Sequence, residues 1–170
     1  MEFETAKILS IIGLVLMIVG SGHFSIGIVG LVLYLVGLYY LSNIYGREEI
    51  FSYAFKATIG FLVVLIIVAF VIGVSILGGA IIGGHIGLGV SVIIGWILLY
   101  LAMLYYGLNK RDLMNVLGEY GDRSLAGLTA KLYWYGAILT IIIIGALIVL
   151  IAEVLEVIVL ATLKKASAAL

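Results

Sequence analysis

The chain has 170 residues, 65% of them apolar and 11% charged, and its nine basic and nine acidic side chains cancel to a net charge of zero. A soluble domain is about half apolar and a quarter charged, so the composition excludes an ordinary soluble globule, and the charge balance leaves no basic footprint for nucleic acid. With no cysteine there are no disulfides, thiolate nucleophiles or Cys-ligated metals, and with no proline any helix break falls to the 22 glycines.

The N-terminal MEFETAKILS carries two Glu and one Lys, and no A-x-A site follows its apolar run, so the first run reads as a retained helix rather than a signal peptide. Two stretches, Ile8–Gly46 and Ala57–Asn109, contain no Asp, Glu, Lys or Arg. About 20 residues cross a hydrocarbon core, so each stretch predicts two helices and a turn. The first pair spans 5–44, turning at SGHFS, and a charged loop, Gly46–Ser52, follows it. The second pair spans 55–108, turning at the Gly-rich GGAIIGGH. The polar segment Asn109–Ser124 is expected as a cytoplasmic loop. Within it Asp112–Gly118 could form a short interfacial helix, with Leu113, Met114, Val116 and Leu117 towards lipid. Asp122 or Ser124 is placed to cap the helix that follows. Leu125–Leu163 has no polar turn, but a single helix over Lys131–Lys164 would be about 50 Å long. A hairpin over 125–163 with a tight turn near Ile144-Gly145 resolves the length.

Charge and repetition support this division. With six helices, all nine basic residues fall on one side, and the positive-inside rule makes that side cytoplasmic, with both termini there. Tyr39, Tyr40, Tyr45, Tyr105, Tyr106, Tyr133, Trp134 and Tyr135 gather at the same end, as an interfacial aromatic belt does. LYLVGLYYLSN (Leu33–Asn43) returns as LYLAMLYYGLN (Leu99–Asn109), seven of eleven positions being identical at an offset of 66. The expected fold is therefore an all-α integral membrane bundle. It has six transmembrane helices in three consecutive hairpins, related as parallel pseudo-repeats, and forms one unit over 1–170. The inverted repeats found in many secondary transporters are not seen.

Three stretches carry a family resemblance: the opening KILSIIG (Lys7–Gly13), GLYYLSNIYGREEIFSYAF (Gly37–Phe55) and AGLTAKLYWYGAILTIIIIGALIVLIA (Ala126–Ala152). In these motifs the chain resembles the archaeal membrane-protein family catalogued as domain of unknown function 996. The resemblance implies a multi-pass archaeal membrane protein without an assigned activity, and it brings no catalytic or binding residue with it.

The residues that could carry chemistry are few. Glu153 and Glu156, three apart on one helix face, are the candidate ion or proton site. An intramembrane carboxylate costs about 2.5–3.5 kcal/mol on insertion scales, and no Lys or Arg is expected in the core to neutralise it. The pair could be protonated and hydrogen-bonded to Tyr34, Tyr100, Thr140 or Ser91. It could handle a cation or proton, or it could meet an interfacial lysine if the register differs. Gly79, Gly83, Gly87, Ser91 and Gly95 recur every four residues, and Gly87, Ser91 and Gly95 are the expected helix-packing positions. His23 and His85 sit in outer turns, too few for a structural zinc site. No P-loop, nucleophile elbow, HExxH or dinucleotide fingerprint is present.

The sequence thus points to a non-enzymatic structural or accessory component of the cell membrane. No cofactor, catalytic residue or metal ligand is expected. Its partner is the lipid bilayer, with self-association through small-residue helix faces and no identifiable soluble partner. The alternative is a small proton or cation channel or transporter that uses Glu153 and Glu156.

Overall fold

The computed structural model describes residues 1–82, 85–142 and 144–165. Six helices follow one another: α1 (Phe3–Val19), α2 (Phe24–Tyr45), α3 (Glu48–Ile82), α4 (His85–Leu117), α5 (Arg123–Leu139) and α6 (Ile144–Thr162). Short 3-10 turns at Gly20–Gly22 and Thr140–Ile142 join α1 to α2 and continue α5. No strand occurs among the described residues, and five helices, α2 to α6, contain stretches long and apolar enough to cross a membrane.

Each helix packs on its neighbour in the chain, and α6 closes the bundle by lying against α1 and α4 as well as α5. The α1–α2 contact is set by glycine. A Cβ on Gly13 would lie 2.2 Å from the Tyr34 backbone nitrogen, and one on Gly37 would lie 2.5 Å from the Ser10 nitrogen. Only residues without side chains allow backbones that close. Gly107 brings α4 onto α5 in the same way, its added Cβ falling 2.8 Å from the Tyr133 carbonyl oxygen. The α2–α3 corner turns on Gly46, whose φ of 64° is left-handed and returns the Arg47 N–H to the Ser42 carbonyl at 2.9 Å. Asp122 caps α5, its side chain accepting from the Leu125 N–H at 3.0 Å.

The middle hairpin is longer than its apolar content suggests. α3 starts at Glu48, inside the expected charged loop, and α4 runs on to Leu117, so most of the expected loop Asn109–Ser124 is helix. At 35 and 33 residues these helices are about 52 and 50 Å long. Nor do Leu113, Met114, Val116 and Leu117 face lipid; all four are buried. The charges Lys110, Arg111 and Asp112 do not end α4, because a helix tolerates them well and the apolar face continues past them into the core. The link before α5 shortens to Gly118–Asp122. The Gly-rich turn expected at 78–85 narrows, with α3 reaching Ile82 and α4 opening at His85; Gly83 lies outside the described residues.

Candidate functional site: a buried ion pair beside a lateral groove

The polar centre of the bundle is built from four helices. α6 supplies Glu156, α4 supplies Lys110, α2 supplies Tyr34 and α5 supplies Tyr133, and all four side chains are fully buried. The Lys110 ammonium lies 3.0 Å from Glu156 Oε1 and 2.8 Å from Oε2, and 2.9 Å from the Tyr34 hydroxyl. Tyr34 donates to Glu156 Oε1 at 2.5 Å, and Tyr133 donates to Oε2. An ammonium has three N–H donors and a carboxylate about four acceptor sites. Lys110 spends all three donors here, and Glu156 receives four bonds, so the group is saturated. Three aromatic rings also surround the ammonium, with centroids 4.6 Å (Tyr34), 5.5 Å (Tyr133) and 5.7 Å (Tyr106) away.

The core thus holds a cation that was not expected there, and of the readings open for the carboxylates, contact with a lysine is the one Glu156 makes. Lys110 follows directly on the second copy of the repeat, where charge signals a membrane boundary. Because α4 continues as helix to Leu117, its four-carbon stem is instead held inward and carries the ammonium to Glu156. Of the partners expected for the carboxylates, Tyr34 is in place. Tyr100 hydrogen-bonds the Ile138 carbonyl, Thr140 the Gly136 carbonyl, and Ser91 lies 2.5 Å from Ser75.

Glu153, one turn further out on α6, is separate from the saturated group. Its Oε1 accepts from Tyr106 at 2.8 Å. It lines a cavity of about 480 Å³ bounded by Met17 of α1, Thr58 and Phe61 of α3, Met103 and Tyr106 of α4, and Leu150 of α6. A second hollow of the same volume shares Met17, Thr58 and Phe61 and continues between Gly20, Gly27, Leu62 and Ile66.

Below the ion pair the bundle end is latched. Tyr45 and Tyr120 stack at 3.9 Å, and the Tyr45 hydroxyl donates to the Lys164 carbonyl at 2.8 Å. The Lys164 N–H donates to the Tyr120 carbonyl at 2.9 Å, and Lys7 reaches the Leu163 carbonyl at 3.4 Å. At the rim, Arg47 bridges Glu49 and Glu119 at 2.8 and 2.9 Å, and the two carboxylates, Glu49 first, hold its guanidinium above its usual pKa.

The small-residue positions lie within the α3–α4 hairpin. A Cβ on Gly95 would meet Ile72 and Val68 of α3 at 3.4 Å, an ordinary contact, and Gly87 lies in the first turn of α4. The glycines that force close approach are elsewhere. Gly13 on α1 and Gly20 just after it are seven residues apart, as are Gly30 and Gly37 on α2; Gly13 faces Gly30, Gly20 faces Gly27 and Gly37 faces Ser10. That seven-residue spacing is the sequence signal that marks them. The expected aromatic belt divides: Tyr39, Tyr105 and Tyr135 are exposed, whereas Tyr45, Tyr106 and Tyr133 turn inward. His23 is exposed and His85 opens α4. Among the described residues no three His, Cys, Asp or Glu side chains come together as a metal site.

Residues 26–154 match the model of a family described as protein of unknown function (DUF996). An uncharacterized protein of Methanocaldococcus jannaschii is 28% identical over 161 residues, covering 93% of this chain and 91% of its own. No solved structure matches the chain. Tyr34, Tyr106, Lys110, Tyr133 and Glu153 fall inside the matched segment, and Glu156 lies two residues beyond it. With about three-quarters of its length matched, the chain belongs to the DUF996 family, domain of unknown function 996.

Proposed function

We propose that the chain is an integral protein of the cell membrane that crosses it six times, with both termini cytoplasmic, and that its role is structural or accessory rather than enzymatic. Five helices have the length and hydropathy for a crossing, and α1, 17 apolar-rich residues, lies along α2 over its whole length. With Lys110 in the core, the other eight of the nine basic residues still fall at one end of the hairpins, which supports a cytoplasmic assignment for that end.

The observation that carries the accessory reading is the saturation of Glu156. A carboxylate that takes four hydrogen bonds, two of them from its own ammonium, has no free acceptor for a transported ion. Breaking it open would strand a charge in a low-dielectric core. The latch of Tyr45, Tyr120 and Lys164 beneath it likewise argues against a conducting path to the inner end.

Ion flux in proteoliposomes tests this reading. Wild type and Glu153→Gln/Glu156→Gln are compared under imposed proton and cation gradients with dyes sensitive to each. Flux no greater than in empty liposomes is expected for both. Flux that the double variant abolishes would establish ion handling instead. The lack of cysteine makes topology directly measurable: Ser124→Cys should label with an impermeant maleimide only from the cytoplasmic side, and His23→Cys only from outside.

A further inference from the structure

The core near α6 holds two carboxylates and one ammonium. Lys110 gives every donor to Tyr34 and Glu156, which leaves Glu153 without a cation of its own. Its Oε1 takes the Tyr106 hydroxyl proton, and Oε2 has no donor among the described residues. Since no buried side-chain oxygen or nitrogen among those residues lacks a partner, Oε2 is not sealed in protein, and Glu153 stands on the wall of the 480 Å³ groove. The other walls of that groove are almost wholly apolar. Leu147 and Leu150 at its rim, and Leu62 and Ile66 of the adjoining hollow, are exposed on the apolar flank of the bundle, so the opening faces sideways.

We propose that this groove is a binding site for a membrane-dissolved amphiphile with an ammonium head. The head pairs with Glu153 Oε2, and the chain lies along Met17, Phe61 and Leu150 towards the second hollow. A volume of about 480 Å³ falls within the range of about 300–1,000 Å³ typical of small-molecule sites. Phe61 and Tyr106, whose ring centroids are 5.6 Å apart, both line the groove, and aromatic rings near an ammonium add to its attraction. A neutral alcohol would leave the carboxylate unpaired, and an anion would be repelled by it. Charge complementarity therefore selects the amine over a plain acyl chain, which would fill the walls and ignore Glu153. The inference rests on the membrane reading, because only in a bilayer does the sideways opening meet such molecules.

Thermal unfolding of the purified chain in lipid nanodiscs, with dodecylamine or dodecanol added, tests it through ligand-linked stabilisation. Dodecylamine should raise the midpoint saturably and dodecanol should not. Glu153→Gln should weaken the apparent amine affinity by about tenfold or more. Leu150→Trp, which fills the groove and keeps the carboxylate, should abolish the shift as well. It also serves as the decisive variant if Glu153→Gln does not elute as a folded species. Equal shifts with amine and alcohol, equal shifts in wild type and variants, or no shift at all would overturn the proposal. Those outcomes leave the membrane reading standing. That reading would fail separately, if the chain were released from membranes without detergent.

Discussion

The inner end of the bundle and the outer half of the α3–α4 hairpin are made from the same apolar residue types, yet they are held in opposite ways. At the inner end, where both termini lie, all six helices contribute to the buried cluster, Gly37 and Gly107 bring backbones into contact, and a saturated ion pair ties four helices together. In the outer half α3 and α4 have mainly each other. Phe70, Leu77 and Ile93 are exposed, and the contacts joining the two helices include the Ser75–Ser91 pair and Gly95 against Val68 and Ile72. Lipid tails are as apolar as Leu, so hydrophobicity does not draw helices together in a bilayer; packing and polar bonds do. The contrast teaches that a helix can be strongly apolar and yet bury little of itself in the protein, because its hydrophobic surface is satisfied equally well by lipid. Close packing is concentrated where small residues and buried polar groups occur.

The sharpest way to break the inner end is Lys110→Met. It leaves Glu156 in a dry core with two tyrosines and no cation, and stability should fall by about 3–5 kcal/mol. Lys110→Met/Glu156→Met should recover most of that loss, because the cost lies in the stranded charge rather than in the missing pair. Denaturant unfolding in mild detergent measures both; a double variant no better than the single would refute the assignment of Lys110. Tyr133→Phe removes one of the four bonds to Glu156 and should cost less, about 1–3 kcal/mol, in the same assay.

How much of this was legible in the sequence depends on the kind of residue. The helices and the membrane-like character follow from the apolar runs, which survive an error of a turn at their ends; the turn expected at Ile144-Gly145 was less well placed, since both residues already belong to α6. Asp122 as a cap and Tyr34 as a carboxylate partner were also readable, because each follows from local chemistry. Lys110 was not. Directly after YYGLN a basic residue has the same appearance whether it snorkels out to the headgroups or reaches in, and only the partner on α6, 46 residues away, decides. The same ambiguity hid the inward course of Leu113, Met114 and Leu117. The packing glycines were obscured for another reason. The four-residue ladder on α4 is the more conspicuous pattern, whereas Gly13, Gly20, Gly30 and Gly37 show their purpose only once α1 and α2 are laid side by side.

Those glycines allow the two regions to be compared with a single kind of substitution. Gly13→Ala puts a methyl group 2.2 Å from the Tyr34 nitrogen. Backbone cannot yield as a flexible side chain can, so α1 and α2 must separate, at a cost of about 1–3 kcal/mol. The shift also moves Tyr34, so the loss should be smaller in a Tyr34→Phe background than in wild type; strict additivity would show that the glycine contact and the ion-pair group are independent.

Gly73→Ala is the matching change in the outer hairpin, and it should have the smallest effect. Nothing lies within 4 Å of the added Cβ, and alanine favours a helix over glycine by about 1 kcal/mol. The unfolding midpoint should therefore stay where it is or rise slightly, opposite in sign to Gly13→Ala. A clear loss at Gly73 would mean that this face of α3 is covered in the working protein by something other than lipid. It would move the outer hairpin from the unconstrained part of the molecule to an interface, and crosslinking from that position would then identify what packs there.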